Sequence, residues 1–461
     1  MLRALPPALI AVSLGACAVT PDLDPRSPIP LQDEYAALPA FDTEPVDDWI
    51  AAFGDPELVA LVDLAMEENP SIEAARAGLE AARAQARVTG AGRLPSVDAS
   101  LGTTWRDPAM GSNTSYSIGL DASWQADVWG RLRDQTRASI LSAEAARADW
   151  RGARLSIAAA TARAWYALNE AALQTELAAR DVDTRTRQLQ IVERRFERGV
   201  ARSSDVRTAR SALASSQAGL AARVRTQAAA ARRLETLTAQ YPDATTLAAG
   251  ALPELGPLPY PGEPQGLFER RPDIIAASAR LAAAGFSADA AQKALYPGLS
   301  LRASLSNAAD DLGDVFSFDD LVSQVSASIL APIFQGGRLR AQRDQAEAQA
   351  RQLAARYVET ALTALREAED AIDADLRLAE RVAALEVAAA EAQAALELVE
   401  RQYASGLATI FELIDAQTRL INANSQLISA RAQRVDNRIG LHLAIAGDYA
   451  AGGGYAPAAD E

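Results

Sequence analysis

The sequence predicts a mainly α-helical fold with a transmembrane β part. Long coiled-coil hairpins form an α-helical barrel, and paired strands complete a β-barrel only when several copies share them. Three observations predict this. Arg131 to about Phe196 holds no proline and one glycine, Gly152. With the main helix breakers nearly absent, one helix of about 66 residues, roughly 100 Å long, is allowed. The same block occurs twice: Gly130-Arg131-Leu132-Arg133 returns as Gly337-Arg338-Leu339-Arg340, and Gly199 returns as Gly406, both 207 residues later. Such an internal two-fold repeat outranks any local motif as a clue to architecture. Ahead of each long helix, the hydrophobic period changes from 3.6 to 2.

Composition narrows the function classes. The net charge of −15 argues against a nucleic-acid partner, which needs a basic surface. Aromatics make up only 5% of the 461 residues, a balance suited to closely packed helices. The single cysteine, Cys17, allows no intrachain disulfide. His442 is the one histidine, so no cluster for a transition metal is expected, and no cofactor. His442, beside Leu441 and Leu443, reads as a packing or surface residue. No nucleophile, base and orienting group stand together as an enzyme would require. Beyond the N-terminus no run of eighteen apolar residues predicts a transmembrane helix.

Residues 1–16 read as a signal peptide, with Arg3 ahead of an apolar run. Leu14-Gly15-Ala16-Cys17 reads as a lipobox, which makes Cys17 the lipidation (palmitate) site and holds the mature N-terminus at a membrane. Ala18 in place of aspartate points to export onward to the outer membrane. Residues 17–48, rich in Pro and Asp, are expected to form an extended strap on the surface.

The first structural repeat spans 49–237. Pro56 and Pro70 each open a short helix at its first turn, where the missing N–H costs nothing. A β-hairpin follows at about 96–128. Val97, Ala99, Leu101, Thr103 and Trp105 alternate with polar residues, as do Tyr116, Ile118, Leu120, Ala122 and Trp124. Each strand is long enough to cross a tilted bilayer. Trp105, Tyr116, Trp124 and Trp129 lie near strand ends, where interfacial aromatics belong. The helical hairpin then occupies 131–237, with its turn at Arg198-Gly199-Val200.

A proline-rich connector covers 238–270. The second repeat, 271–446, restarts at Arg271-Pro272-Asp273-Ile274, matching Asn69-Pro70-Ser71-Ile72 at an offset of 202. Its β-hairpin is expected at about 298–333, with Leu299, Leu301, Ala303 and Leu305, then Val325, Ala327 and Ile329, on the apolar face. Its helical hairpin is expected at 338–446, turning at Ser405-Gly406-Leu407. Val358, Leu362, Leu365, Ile372, Leu376 and Ala379 follow steps of three and four, a coiled-coil seam interrupted by Glu369. Residues 447–461 form a flexible tail. Four strands cannot close a filled barrel, since about eight are needed. Two, three or four copies would supply eight, twelve or sixteen strands, and a solute pathway favours three or more.

The chain resembles the outer-membrane factors of tripartite efflux and type I secretion systems, in their lipoprotein branch. The residues that carry this are Trp49…Phe53-Gly54-Asp55-Pro56, Leu267-Phe268-Glu269-Arg270-Arg271-Pro272-Asp273-Ile274, Ala294-Leu295-Tyr296-Pro297, and Arg401-Gln402-Tyr403-Ala404-Ser405-Gly406-Leu407 followed by Leu413-Ile414-Asp415-Ala416-Gln417. The resemblance implies a homotrimer with twelve barrel strands, a lipid-anchored location in the outer membrane and an extension into the periplasm. It implies a passive exit duct with a periplasmic adaptor (membrane fusion) protein and an inner-membrane pump as partners, and no catalysis. The alternative is a periplasmic coiled-coil lipoprotein scaffold that conducts nothing. By resemblance, Arg198, Gly199, Val200, Ser405, Gly406 and Leu407 form the tips that dock the adaptor. Glu412 and Asp415 would ring the periplasmic gate, attracting cations and raising some of their own pKa values by crowding. Asp205 takes the place of Glu412 in the first repeat. Tyr403 matches a latch residue. Ala408 stands where the latch would carry an arginine, leaving Arg401 and Arg198 as substitutes.

Overall fold

The computed structural model describes residues 29, 31–32, 34–37, 49–106, 113–258, 260–317 and 321–445. The expected signal peptide, Cys17 and the tail 447–461 lie outside the described residues. Two short helices, α1 (Pro56–Glu68) and α2 (Pro70–Ala91), precede strands β1 (Ser96–Arg106) and β2 (Asn113–Ala126). The first long hairpin is α3 (Arg131–Glu197) and α4 (Ser203–Leu237). A one-turn α5 (Leu267–Arg270) leads into α6 (Pro272–Lys293), β3 (Gly298–Ala309) and β4 (Val322–Leu330). The second long hairpin, α7 (Arg338–Ser405) and α8 (Ile410–Ala444), repeats the first.

Local chemistry sets these boundaries. Asp55 caps α1 by accepting from Glu57 N at 3.1 Å and Leu58 N at 3.2 Å, with Pro56 at the first position. Asn69 caps α2 through Ser71 N at 2.9 Å and ties it to α4 by donating to the Leu237 carbonyl at 2.7 Å. The Asp127 carboxylate accepts from Leu132 N and Arg133 N, satisfying the first turn of α3. The 67 residues of α3 and 68 of α7 each span roughly 100 Å. By length and composition α6 could cross a bilayer, but it packs along α3 and α7 instead.

All four strands join one antiparallel sheet in the order β1-β2-β3-β4. Its middle seam, β2 with β3, joins the two repeats. The register places Leu101 opposite Ile118, Leu120 opposite Leu305, and Ala303 opposite Val325. The apolar sets therefore share one face across all four strands. Asp98, Asp121 and Ser304 align across the other face. β1 and β4 are the sheet edges, and Val97, Leu101, Val325 and Ile329 are exposed.

The core sits at the middle of the molecule, where the short helices pack on the long ones. One cluster joins Trp49, Leu58, Val62, Trp165, Leu234 and Ile439. The other joins Leu267, Ile274, Ala361, Ala364, Ala368, Ile372 and Leu441. The second cluster revises the seam expected for α7. Its buried line runs through Ala361, Ala364, Ala368, Ile372 and Asp375, while Leu362 faces outward. Alanine permits close helix approach, and Asp375 is compensated in the interior by Arg438 at 3.0 Å. Arg438 also donates to the carbonyls of Pro257 and Gly256, pinning the connector.

Glu369, which interrupts the sequence pattern, has a structural task. Its carboxylate accepts from Ala36 N at 2.7 Å and Ala37 N at 2.9 Å, holding part of the N-terminal strap along α7. His442 is buried and stacked on Trp49, ring centroids 5.5 Å apart, so it serves packing.

Candidate functional site: hairpin tips and open sheet edges

Both long hairpins turn through a glycine in the left-handed region, Gly199 at φ 73° and Gly406 at φ 78°. A Cβ at either position would meet nothing within 4 Å, so backbone conformation alone demands glycine there. The turns close by Val200 N donating to the Arg195 carbonyl at 2.9 Å and Leu407 N to the Gln402 carbonyl at 2.8 Å. Val200 and Leu407 project outward, 65% and 83% exposed. Phe196 and Phe411 are also exposed beside them, so each tip carries a phenylalanine that the glycine-centred pattern did not single out.

Tyr403 lies between the hairpins and packs against apolar residues of both, among them Val192, Ile410 and Leu396. Its cationic partner is Arg195. The guanidinium lies 4.9 Å from the ring centroid and donates to the Tyr403 carbonyl at 3.2 Å. Arg195 thus takes the place for which Arg401 and Arg198 were the expected substitutes. Arg195 is one helical turn before the tip of α3, and its pairing joins positions 208 residues apart, which no local motif signals. Burial raises the Tyr403 phenol above its ordinary value, opposed by Arg195 and reinforced by Asp205.

The acids near the tips are tied locally. Thr409 N and its hydroxyl both donate to the Glu412 carboxylate, at 2.6 and 2.8 Å, and Glu412 N returns a bond to Thr409 Oγ1. This capping box, Thr409 N–H foremost, lowers the Glu412 pKa within the chain. Asp205 accepts from Arg202 N at 3.0 Å at the matching position of α4. Asp415 pairs with Arg419 at 2.8 Å, a cation that sequence reasoning passed over although it lies one turn along α8. Glu412, Asp415 and Arg419 line a groove of about 250 Å³ between α7 and α8, with Ala392, Ala395 and Val399 on the other wall.

The aromatics divide between the two ends of the sheet. Trp105 is opposite Thr114, and Tyr116 opposite Thr103, at the end near the β1–β2 loop. Trp124 and Trp129 stand at the helical end. Their indole N–H groups donate to the carbonyls of Arg93 at 2.8 Å and Pro297 at 2.7 Å, and Trp129 packs on Tyr296 at 5.4 Å. They fasten the root of the sheet to the ends of α2 and α6. Laterally the long helices run α4, α3, α8, α7, which leaves α4 and α7 at the edges of the layer.

The profile of the outer membrane efflux protein family matches residues 61–240 and 264–447, one segment on each repeat. The pyoverdine export outer membrane protein OpmQ of Pseudomonas aeruginosa is 31% identical over 451 residues, 95% of each chain. The outer membrane protein OprJ of the same organism is 30% identical, covering 96% of this chain and 95% of its own. The crystal structure of the outer membrane protein VceC from Vibrio cholerae superposes with a TM-score of 0.81 at 27% identity, covering 88% of this chain and all of that one. With likeness running the length of both halves, in sequence and in fold, the chain belongs to the outer membrane efflux protein family.

Proposed function

We propose that three copies of this chain close a twelve-stranded barrel around one continuous duct. The observation that carries this reading is the pair of open sheet edges, β1 and β4, on a sheet with one mainly apolar face. In lipid each unsatisfied edge group costs several kcal/mol, so the edges must pair. Four strands are too few to close, and twelve leave room for solutes. The chain is an outer-membrane exit duct of a tripartite efflux system, reaching into the periplasm on helices of roughly 100 Å.

In this reading the exposed tips around Val200, Gly199, Leu407 and Gly406 dock a periplasmic adaptor, which brings an inner-membrane pump. Arg198 and Ser405 flank that surface. Tyr403 with Asp205, Glu412 and Asp415 forms the periplasmic gate, and acyl chains on Cys17 anchor the N-terminus. The duct conducts passively and catalyses nothing. Relatives on the same fold are named for different cargo: OpmQ for pyoverdine export, CusC of Escherichia coli for cation efflux and TtgI of Pseudomonas putida for toluene efflux. That spread supports selectivity residing in the pump. The apolar sheet face weighs against a soluble scaffold.

The test is conductance of the purified protein in planar lipid bilayers, with cysteine pairs at the edges, Leu101→Cys with Val325→Cys or Ile329→Cys. Ion-conducting trimers cross-linked from β1 to β4 are expected. A monomer without conductance, even with the tips loosened by Tyr403→Ala, would overturn the reading.

A further inference from the structure

We infer that the loop after β3, residues 310–317, is an interfacial collar that inserts Leu312 and Phe316 into the outer leaflet from the outside of the barrel. The inference rests on the barrel reading, because it takes the apolar sheet face to be the lipid face. Asn307 belongs to that face, opposite Ile118 and two residues beyond Leu305. Its amide nitrogen donates to three carbonyls of the loop: Asp314 at 3.3 Å, Val315 at 3.0 Å and Ser317 at 2.7 Å. The loop is thus folded down onto the lipid face. Val315 is fully buried there in a single 3-10 turn against β2 and β3.

Two large apolar side chains of this turn point away from the sheet, Phe316 at 54% exposure and Leu312 at 49%. On a barrel in lipid, the medium facing them is the membrane. Depth follows from strand length and charge. Asn307 lies about 30 Å along the strand from its root, or roughly 20 Å of height at the usual tilt, near the top of a 25 Å apolar band. Asp310, Asp311 and Asp314 are exposed on the same loop. Each would cost about 2.5–3.5 kcal/mol at the bilayer centre, so the loop rides at headgroup level with only the two apolar side chains dipping inward. The partner is the acyl and glycerol region of the outer leaflet. The collar also covers Asn307, an amide that would otherwise face lipid, satisfying it internally.

Spin labels on single cysteines test this in the full-length trimer, reconstituted in phosphatidylethanolamine and phosphatidylglycerol vesicles. Phe316→Cys is compared with Val325→Cys on the mid-sheet lipid face and Ser100→Cys on the polar face, and the protein without added cysteine measures any labelling at Cys17. The label at 316 is expected to collide more often with oxygen than with a water-soluble nickel complex, as at 325, and with the reverse preference at 100. Asn307→Ala, which frees the loop, should move the label at 316 toward the aqueous values. Water-like values at 316 alongside lipid values at 325 overturn the collar and leave the barrel standing. Water-like values at both positions overturn the barrel reading beneath it. An unchanged label in Asn307→Ala overturns the amide as the clamp.

Discussion

The guanidinium of Arg195, near the end of α3, covers the ring of Tyr403, near the end of α7, at 4.9 Å. It couples two hairpins that also meet near their tips through one small apolar cluster, Val192, Val206, Ala209 and Ile410. A cation–π pair at a partly exposed site contributes about 0.5–1 kcal/mol. Arg195→Ala is therefore expected to loosen the tips and raise bilayer conductance a few-fold, whereas Tyr403→Phe, which keeps the ring, changes little. A double-mutant cycle with Tyr403→Ala, read as conductance, should show coupling of about that size. Strict additivity would dissociate the pair.

Glu412 is held ionised by Thr409, so it keeps its charge to lower pH than a free glutamate. Block by multivalent cations from the periplasmic side should weaken in Glu412→Gln with Asp415→Asn. In Thr409→Ala the carboxylate loses the hydroxyl donor but keeps the backbone N–H, so its pKa rises only part of the way and the block should fade at a slightly higher pH. Arg419→Ala, which frees Asp415, should strengthen the block. Current–voltage curves with a trivalent cation check all three, and unchanged block in the double variant removes these acids from the pathway.

Burial, aided by Arg438, lowers the His442 pKa from its ordinary 6.5 to about 4. The unfolded chain takes up a proton that the buried ring refuses. Stability from this site is therefore complete above about pH 6.5 and is lost as pH falls toward about 4, by roughly 3 kcal/mol. His442→Phe keeps a ring on Trp49 and should flatten that part of the curve. Thermal loss of helical circular dichroism, followed in both proteins from pH 7 to 4, shows whether the difference appears in that window.

Leu407 makes its outward projection without supporting the fold. Leu407→Asp is expected to leave trimers intact while cutting export in cells at least tenfold, and Val200→Asp should do the same less severely. Gly406→Trp should abolish export, since a bulky residue at φ 78° also strains the turn. Trimers are read on native gels and export as resistance conferred by the complete pump. Full export in Leu407→Asp would exclude the tip as a contact.

The long helices, their glycine turns and the strands were legible because each rests on local chemistry: breakers absent, breakers present, or period two. The register kept that promise, with Leu120 meeting Leu305 on one face. The α7 seam was legible in part: Ile372 is buried and Val358 and Leu365 pack against the same cluster, while Leu362 faces outward and alanines at 361, 364 and 368 make the closest approach. Arg195, Arg419 and the Asp375–Arg438 pair stayed hidden for different reasons. Arg195–Tyr403 depends on the axial stagger of two hairpins distant in sequence, and Asp375–Arg438 on that of the two arms of the second hairpin. Arg419 was within reach, one turn from Asp415, and only the emphasis on a ring of like charge obscured it.

The seam between β2 and β3 has a consequence for biogenesis. Leu120 pairs with Leu305 across almost the entire first hairpin and the connector. Closing so long a loop is slow compared with forming helices, whose bonds are local. The nascent first half must therefore travel with one β-hairpin and a finished helical rod but no sheet to insert. Membrane insertion waits for the second half to arrive, which makes the timing of secretion part of what keeps greasy strands from aggregating before assembly.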